Sequence, residues 1–320
     1  MKVLCTGGSG FIGTHLADSL LASGIELLNI DIAQPPKREH TKYWCECNIL
    51  DFDRLCSLFN DFGPSHVVHL AARTTMEGKS LADFRDNTDG TANVLRATKE
   101  TYSVDHVIVA SSQHVRKPGS GIPRSDDDFV PHGLYGESKV ITENLTREVD
   151  LACGWTIIRP TTIWGPYHPT LPYGLWKWMR KGLYLHPSND PVVRSYGYVK
   201  NLAWQIREMM AIPLSVTNQK TFYLGDEPIR QVEWINAFSN ALIHRDVITV
   251  PKILIHLLAY AGDALSLVKI KFPMDSARYF NLTTTNPVPI TPAMDALGTP
   301  PYSLEAGVEE TVSWLKQNGA

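Results

Sequence analysis

Thr6-Gly7-Gly8-Ser9-Gly10-Phe11-Ile12-Gly13 ends a short apolar run at residues 2–6 and opens a pattern with Ile12, Leu16 and Leu20 at helical spacing. Gly8, Gly10 and Gly13 satisfy G-x-G-x-x-G, and Gly7, Gly10 and Gly13 satisfy G-x-x-G-x-x-G. The early glycines permit a tight turn and close backbone approach, while Gly13 lets the helix pack on the strand. Unpaired N–H groups around Gly10, Phe11 and Ile12, aided by the helix dipole, then favour a pyrophosphate. A glycine pattern alone is weak evidence. Here a second strand at 26–30 follows, and Asp31 lies 18 residues after Gly13. A carboxylate at that point bonds both ribose hydroxyls and repels a 2′-phosphate, so NAD is expected rather than NADP. Lys37 and Arg38 downstream weigh against that preference. The bland alternative is a tight αβ turn with a surface aspartate.

Outward from this loop, apolar runs at 66–71, 106–110 and 155–158 alternate with helical patterns around Leu55, at 87–98 and at 138–149. That alternation predicts a parallel sheet covered by helices on both faces. After about residue 160 prolines crowd in (Pro160, Pro166, Pro169, Pro172, Pro187, Pro191) and the alternation stops. A closing helix is expected at about 304–316.

The chain has 320 residues, 43% hydrophobic and 20% charged, with a net charge of −3. Such a chain buries a large core, and it lacks the basic surplus of a non-specific nucleic-acid binder. Five cysteines without a zinc spacing suggest packing residues, no metal and a reducing cytoplasm. Residues 253–268 are the most apolar stretch, broken by His256, Gly262 and Asp263, and too short for a membrane span. They read as a buried or lid-like amphipathic helix, with a membrane-surface role as the alternative.

Tyr135-Gly136-Glu137-Ser138-Lys139 sets a phenol and an ammonium four residues apart, on one helical face. A free tyrosine titrates near 10, too high for a base at neutral pH; lowering it by ~3 units requires roughly 4 kcal/mol. Tyr-x-x-x-Lys is common by chance. It gains weight because Ala110-Ser111-Ser112 ends a strand 23 residues earlier, where open α/β sheets bind ligands.

With these residues the chain resembles the extended short-chain dehydrogenase/reductases, specifically the NAD-dependent epimerase/dehydratase group acting on nucleotide sugars. His69-Leu70-Ala71-Ala72 is similar to the segment lining the nicotinamide side, and Asn48-Ile49 stands where Asp-Ile/Val flanks the adenine. Asn87 resembles the structural asparagine of Asn-x-x-Gly-Thr-x-Asn-Val. Arg159-Pro160-Thr161-Thr162-Ile163-Trp164-Gly165-Pro166 resembles Arg-Pro-x-Asn-x-Tyr-Gly-Pro, with Thr162 in place of asparagine. Tyr196-Gly197-Tyr198-Val199-Lys200-Asn201 is similar to a returning segment whose usual acidic end is replaced here by Lys200-Asn201. The resemblance implies a Rossmann doubly wound parallel sheet with a smaller, discontinuous C-terminal α/β substrate domain. It divides the chain into 1–163 plus 194–226 for NAD and 164–193 plus 227–320 for substrate. It also implies a homodimer through helices near 86–101 and 137–150.

By the same resemblance Tyr135 takes a hydroxyl proton, Lys139 supports it, and Ser112 holds the reacting oxygen. Gln113 and His114 stand where a 4,6-dehydratase carries Asp-Glu, so dehydration is disfavoured and 4-epimerisation of a UDP-sugar is expected. Arg194 and Arg278 are the candidates for a substrate diphosphate, with Thr162 and His114 near the sugar. The remaining alternatives are an NAD-dependent oxidoreductase on a sugar or hydroxysteroid-type alcohol, and a non-catalytic nucleotide sensor.

Overall fold

The computed structural model describes residues 1–170, 175–188, 191–270 and 272–318; Pro172 of the proline group lies outside them. In chain order the elements are β1 (Lys2–Thr6), α1 (Phe11–Ala22), β2 (Glu26–Asp31), β3 (Trp44–Glu46), α2 (Phe52–Phe62), β4 (His66–His69), α3 (Asp89–Glu100), β5 (His106–Ala110), α4 (Gly133–Glu148) and β6 (Gly154–Pro160). Then come β7 (Thr162–Trp164), α5 (Leu175–Arg180), β8 (Leu185–Ser188), β9 (Val193–Arg194), β10 (Tyr196–Tyr198), α6 (Val199–Ala211), α7 (Leu214–Thr217), β11 (Lys220–Leu224) and β12 (Ile229–Arg230). The last are α8 (Gln231–Ile243), β13 (Ile248–Pro251), α9 (Lys252–Leu267), α10 (Ser276–Thr283), α11 (Thr291–Leu297) and α12 (Leu304–Gln317).

Seven strands form one sheet in the order β11-β6-β5-β4-β1-β2-β3. Every pairing in it is parallel. Val67, Val68, Val107, Ile108, Val109, Ile157 and Ile158 are fully buried, as expected of strands covered on both faces. The chain leaves β1 toward one edge and returns at β4 on the other side of β1. That reversal is the switch point at which open α/β sheets bind ligands, outside the carboxyl ends of the strands. The doubly wound sheet expected from the sequence is therefore present.

The chain separates into two compact units. The first holds Met1–Ile163, Gly197–Asp226 and Pro289–Pro301; the second holds Trp164–Tyr196, Glu227–Val288 and Tyr302–Ala320. The short piece Pro289–Pro301 was expected with the second. It joins the first because α11 packs on β11 and α6. The second unit has an aromatic centre. Trp164 and Trp176 are buried against Phe238, with ring centroids 5.2 and 4.0 Å away, and Tyr196 stacks on Trp234 at 4.4 Å.

Of the readings of residues 253–268, the fully buried helix is the one that fails. Residues 253–267 lie in α9, and most of its large apolar side chains are exposed. Ile255, Ala259 and Gly262 face the fold, whereas Ile253, Leu257, Tyr260 and Leu267 are exposed. Periodicity shows which residues share a face; it does not show which face meets solvent.

Candidate active site

The glycine loop joins β1 to α1. Gly7, at φ 75°, occupies the left-handed region, and a Cβ there would strike the backbone of Leu70 and Ala71 at the end of β4. A Cβ on Gly13 would meet the Gly7 carbonyl and the Gly8 backbone. Both glycines are thus required for close approach. Gly10 caps α1 without a side chain, and a helix N-terminus opened by a glycine turn favours an anion. Phe11 and Ile12, half-buried, begin that turn, and Leu70, Ala71 and Ala72 lie half-buried beyond β4.

At the end of β2, Asp31 accepts the Ser9 N–H with one carboxylate oxygen (3.0 Å) and the Ala33 N–H with the other (3.0 Å). Ser9 belongs to the glycine loop, so the acid and the loop are tied together. Lys37, the residue that weighed against NAD, is bound to Asp18 at 2.6 Å. Asn48 is exposed, and its side-chain oxygen accepts the Leu50 N–H at 2.9 Å, whereas Ile49 is buried in the core. A pyrophosphate turn with glycines where a Cβ cannot fit, followed by an anchored acid, fits NAD.

β5 delivers Ala110, Ser111 and Ser112; α4 delivers Tyr135 and Lys139. All five are buried. The Lys139 ammonium donates to the Ala110 carbonyl at 2.8 Å. The Ser112 oxygen accepts the His114 N–H at 3.1 Å, and its hydroxyl lies beside the Tyr135 phenol and favours the phenolate. Burial pushes the phenol up, and Ser112 opposes it. The lowered tyrosine expected from the spacing is therefore not produced by burial and Ser112. Burial also lowers Lys139 to about 8, opposed by the Glu143 carboxylate, which leaves it mostly protonated at neutral pH.

Glu143, one turn beyond Lys139, went unnoticed in the sequence. It is fully buried and accepts from Ser111 (2.6 Å), Arg147 (2.8 Å) and both Nε and Nη2 of Arg159 (2.7 and 2.8 Å). This carboxylate joins β5, α4 and β6 behind the Tyr–Lys pair. Ser138 accepts from the Asn87 amide at 2.8 Å and so ties α4 to the segment after β4. The role of half-buried Asp226 was also missed. It accepts from the Tyr198 N–H (2.6 Å) and the Asn201 amide (2.7 Å), restoring a carboxylate where Lys200-Asn201 broke the acidic pattern.

The remaining candidates divide between the two units. In the first, Thr162 is exposed and accepts from the Gln113 amide at 2.9 Å. The His114 ring stacks on His132 at 5.5 Å and meets the Tyr135 ring edge-on at 5.9 Å. Arg194 and Arg278 belong to the second unit, and Arg278 lies on α10. Arg194 donates to the Asn281 carbonyl; exposed Arg278 donates to the Pro273 carbonyl at 2.7 Å and pairs loosely with Asp275 at 3.7 Å.

Residues 3–225 match the NAD dependent epimerase/dehydratase family, and the chain belongs to that family. Over 160 residues it is 30% identical to the UDP-glucose 4-epimerase of Azospirillum brasilense, covering 48% of this chain and 46% of that one. Over 325 residues it is 25% identical to the N-acetyl-alpha-D-glucosaminyl-diphospho-ditrans,octacis-undecaprenol 4-epimerase of Escherichia coli O157:H7, covering 98% and 95%. The chain thus spans about half the length of the first relative and nearly all of the second. The UDP-glucose 4-epimerase of Thermotoga maritima, solved with UDP-glucose, shares the fold: TM-score 0.72, 22% identity, with 100% of both chains covered.

Proposed function

We propose that this enzyme is a nucleotide-sugar 4-epimerase, oxidising and re-reducing C4 of a UDP-sugar. The observation that carries the reading is the buried Ser112–Tyr135–Lys139 group at the end of β5, with no carboxylate at Gln113 or His114 beside it. NAD would be held by the Gly7–Gly13 turn, with Phe11 and Ile12, by Asp31 at its adenosine ribose, and by Leu70, Ala71, Ala72 and Ala110. When bound it supplies a positively charged nicotinamide that takes up and returns a hydride. Tyr135 takes the 4-hydroxyl proton and gives it back; Ser112, anchored by the His114 N–H, bonds the reacting oxygen. The Lys139 ammonium, fixed on the Ala110 carbonyl, favours the phenolate electrostatically. Arg194 and Arg278 are the proposed diphosphate ligands, and Thr162 and His114 flank the sugar. The units act as NAD-binding and substrate-binding domains of a cytoplasmic homodimer.

A second reading concerns the carrier of the sugar. The E. coli relative, matched over nearly its full length, acts on a sugar diphosphate joined to a polyprenol, and exposed apolar α9 favours such a carrier here. The chemistry at C4 is the same.

The test is a proton NMR assay of purified enzyme with UDP-sugars and no added cofactor. A mixture of C4 epimers is expected, and Tyr135→Phe should lower turnover by about 10²–10⁴-fold. Stoichiometric NADH release would instead identify a dehydrogenase, and loss of carbon dioxide a decarboxylase.

A further inference from the structure

We propose that α9 is an interfacial helix that seats the protein on an anionic lipid bilayer. This goes beyond the reaction proposed above and does not depend on it. The side of α9 that packs on the fold is made of Ile255, Ala259 and Gly262. Gly262 has no side chain to spare there, because the Met274 carbonyl lies where a Cβ would project. At 100° per residue these three share one side of the helix. The opposite side carries Ile253, Leu254, Leu257, Tyr260, Leu267 and Val268, which are 60, 47, 57, 58, 85 and 65% exposed. Ala261 and Ala264, also exposed, fill the space between them. Apart from the Tyr260 hydroxyl, no polar group interrupts that face.

The polar groups of α9 turn elsewhere. Asp263 accepts the Ser276 N–H at 3.1 Å and the Ser276 hydroxyl, and the His256 ring stacks on Tyr279 at 4.5 Å. α9 is therefore apolar both where it packs on the fold and where it faces solvent, with His256 and Asp263 along one edge. Among the described residues no helix is long and apolar enough to cross a membrane. A helix of this length with a largely apolar outer face suits the headgroup–acyl boundary, lying in its plane.

Charge decides between a bilayer and a second protein surface. Residues 252–271 contain three lysines and one aspartate, and that aspartate is the one committed to Ser276. Exposed Lys269 follows the end of the helix, so the C-terminal tip of the apolar face is basic. A basic tip on a net positive segment attracts anionic headgroups and repels the like charge of a second α9. The surface proposed for the second copy, α3 and α4, belongs to the first unit, and α9 belongs to the second.

Flotation with phosphatidylcholine vesicles, with and without phosphatidylglycerol, tests this on the full chain. Wild type is expected to float with the anionic vesicles, and less so as salt rises. Leu257→Asp with Leu267→Asp, both at exposed positions, should cut the bound fraction about tenfold while leaving the circular-dichroism spectrum unchanged. As a signal that does not depend on loss, Tyr260→Trp should shift its fluorescence to the blue on adding anionic vesicles. Absence of flotation by wild type overturns the proposal, as does equal flotation of the double variant. A mass in light scattering that falls to one chain in the double variant also overturns it, and assigns the face to a second copy. Vesicle binding needs no turnover, so failure here and failure of the epimerase reading are separate results.

Discussion

At the residue scale, Asp226 illustrates how a carboxylate is held against its preference. Burial raises it to about 6, although hydrogen bonds from the Tyr198 N–H and the Asn201 amide pull it down. An unfolded aspartate titrates near ~3.9. Between these values the folded chain binds the proton and the unfolded chain does not, so this group adds stability as pH falls from about 6 toward ~4. Above about 6 it is a charged group paid for by its two donors. Asp226→Asn keeps the shape and removes the titration. The difference in melting temperature between wild type and Asp226→Asn should therefore change between pH 7 and pH 5 in favour of wild type. Equal differences at the two pH values would show that Asp226 is not raised. The role of this residue was not legible in the sequence, because its partners lie 28 and 25 positions away.

At the element scale, α4 carries reactive groups on one turn and structural groups on the next. Tyr135 and Lys139 face the end of β5, and Glu143 continues the same line into the Arg159 guanidinium on β6. Arg159 is 1% exposed, so removing its carboxylate leaves a buried unpaired charge. Glu143→Ala should cost about 3–5 kcal/mol in chemical denaturation. The sheet elements and α1 were legible in the sequence because buried parallel strands are continuous apolar runs and α1 begins at a glycine signature. Spacing also brought Tyr135, Lys139 and Ser112 to one place. Glu143 was not legible, since a charged residue in a helical pattern ordinarily marks a solvated face. The orientation of α9 was hidden for the opposite reason: apolar residues ordinarily mark a core.

At the scale of the whole molecule, the family assignment and the sheet order agree, and the homodimer remains a proposal with a definite surface. Ile141 is half-buried on α4, on the outward line of exposed Glu137, Asn144 and Glu148. On α3, which packs beside α4, the outward residues Arg96 and Glu100 pair with each other at 3.0 Å. If these helices bind a second copy, Ile141→Glu sets a charge in an apolar contact. Light scattering should then report one chain for the variant and two for wild type. Two chains in both would move the interface elsewhere.

The sheet order also bears on how the chain is made. β11 pairs with β6, although more than fifty residues separate Pro160 from Lys220. During synthesis β1 to β6 leave the ribosome first, and the far side of β6 stays without a neighbour until β11 follows. An unpaired apolar strand edge is a template for pairing with other chains. Fragments that stop between these strands should aggregate, and translation pauses in that interval would lengthen the exposure. Any truncated version made for study is therefore best carried through Leu224, the last residue of the closing strand.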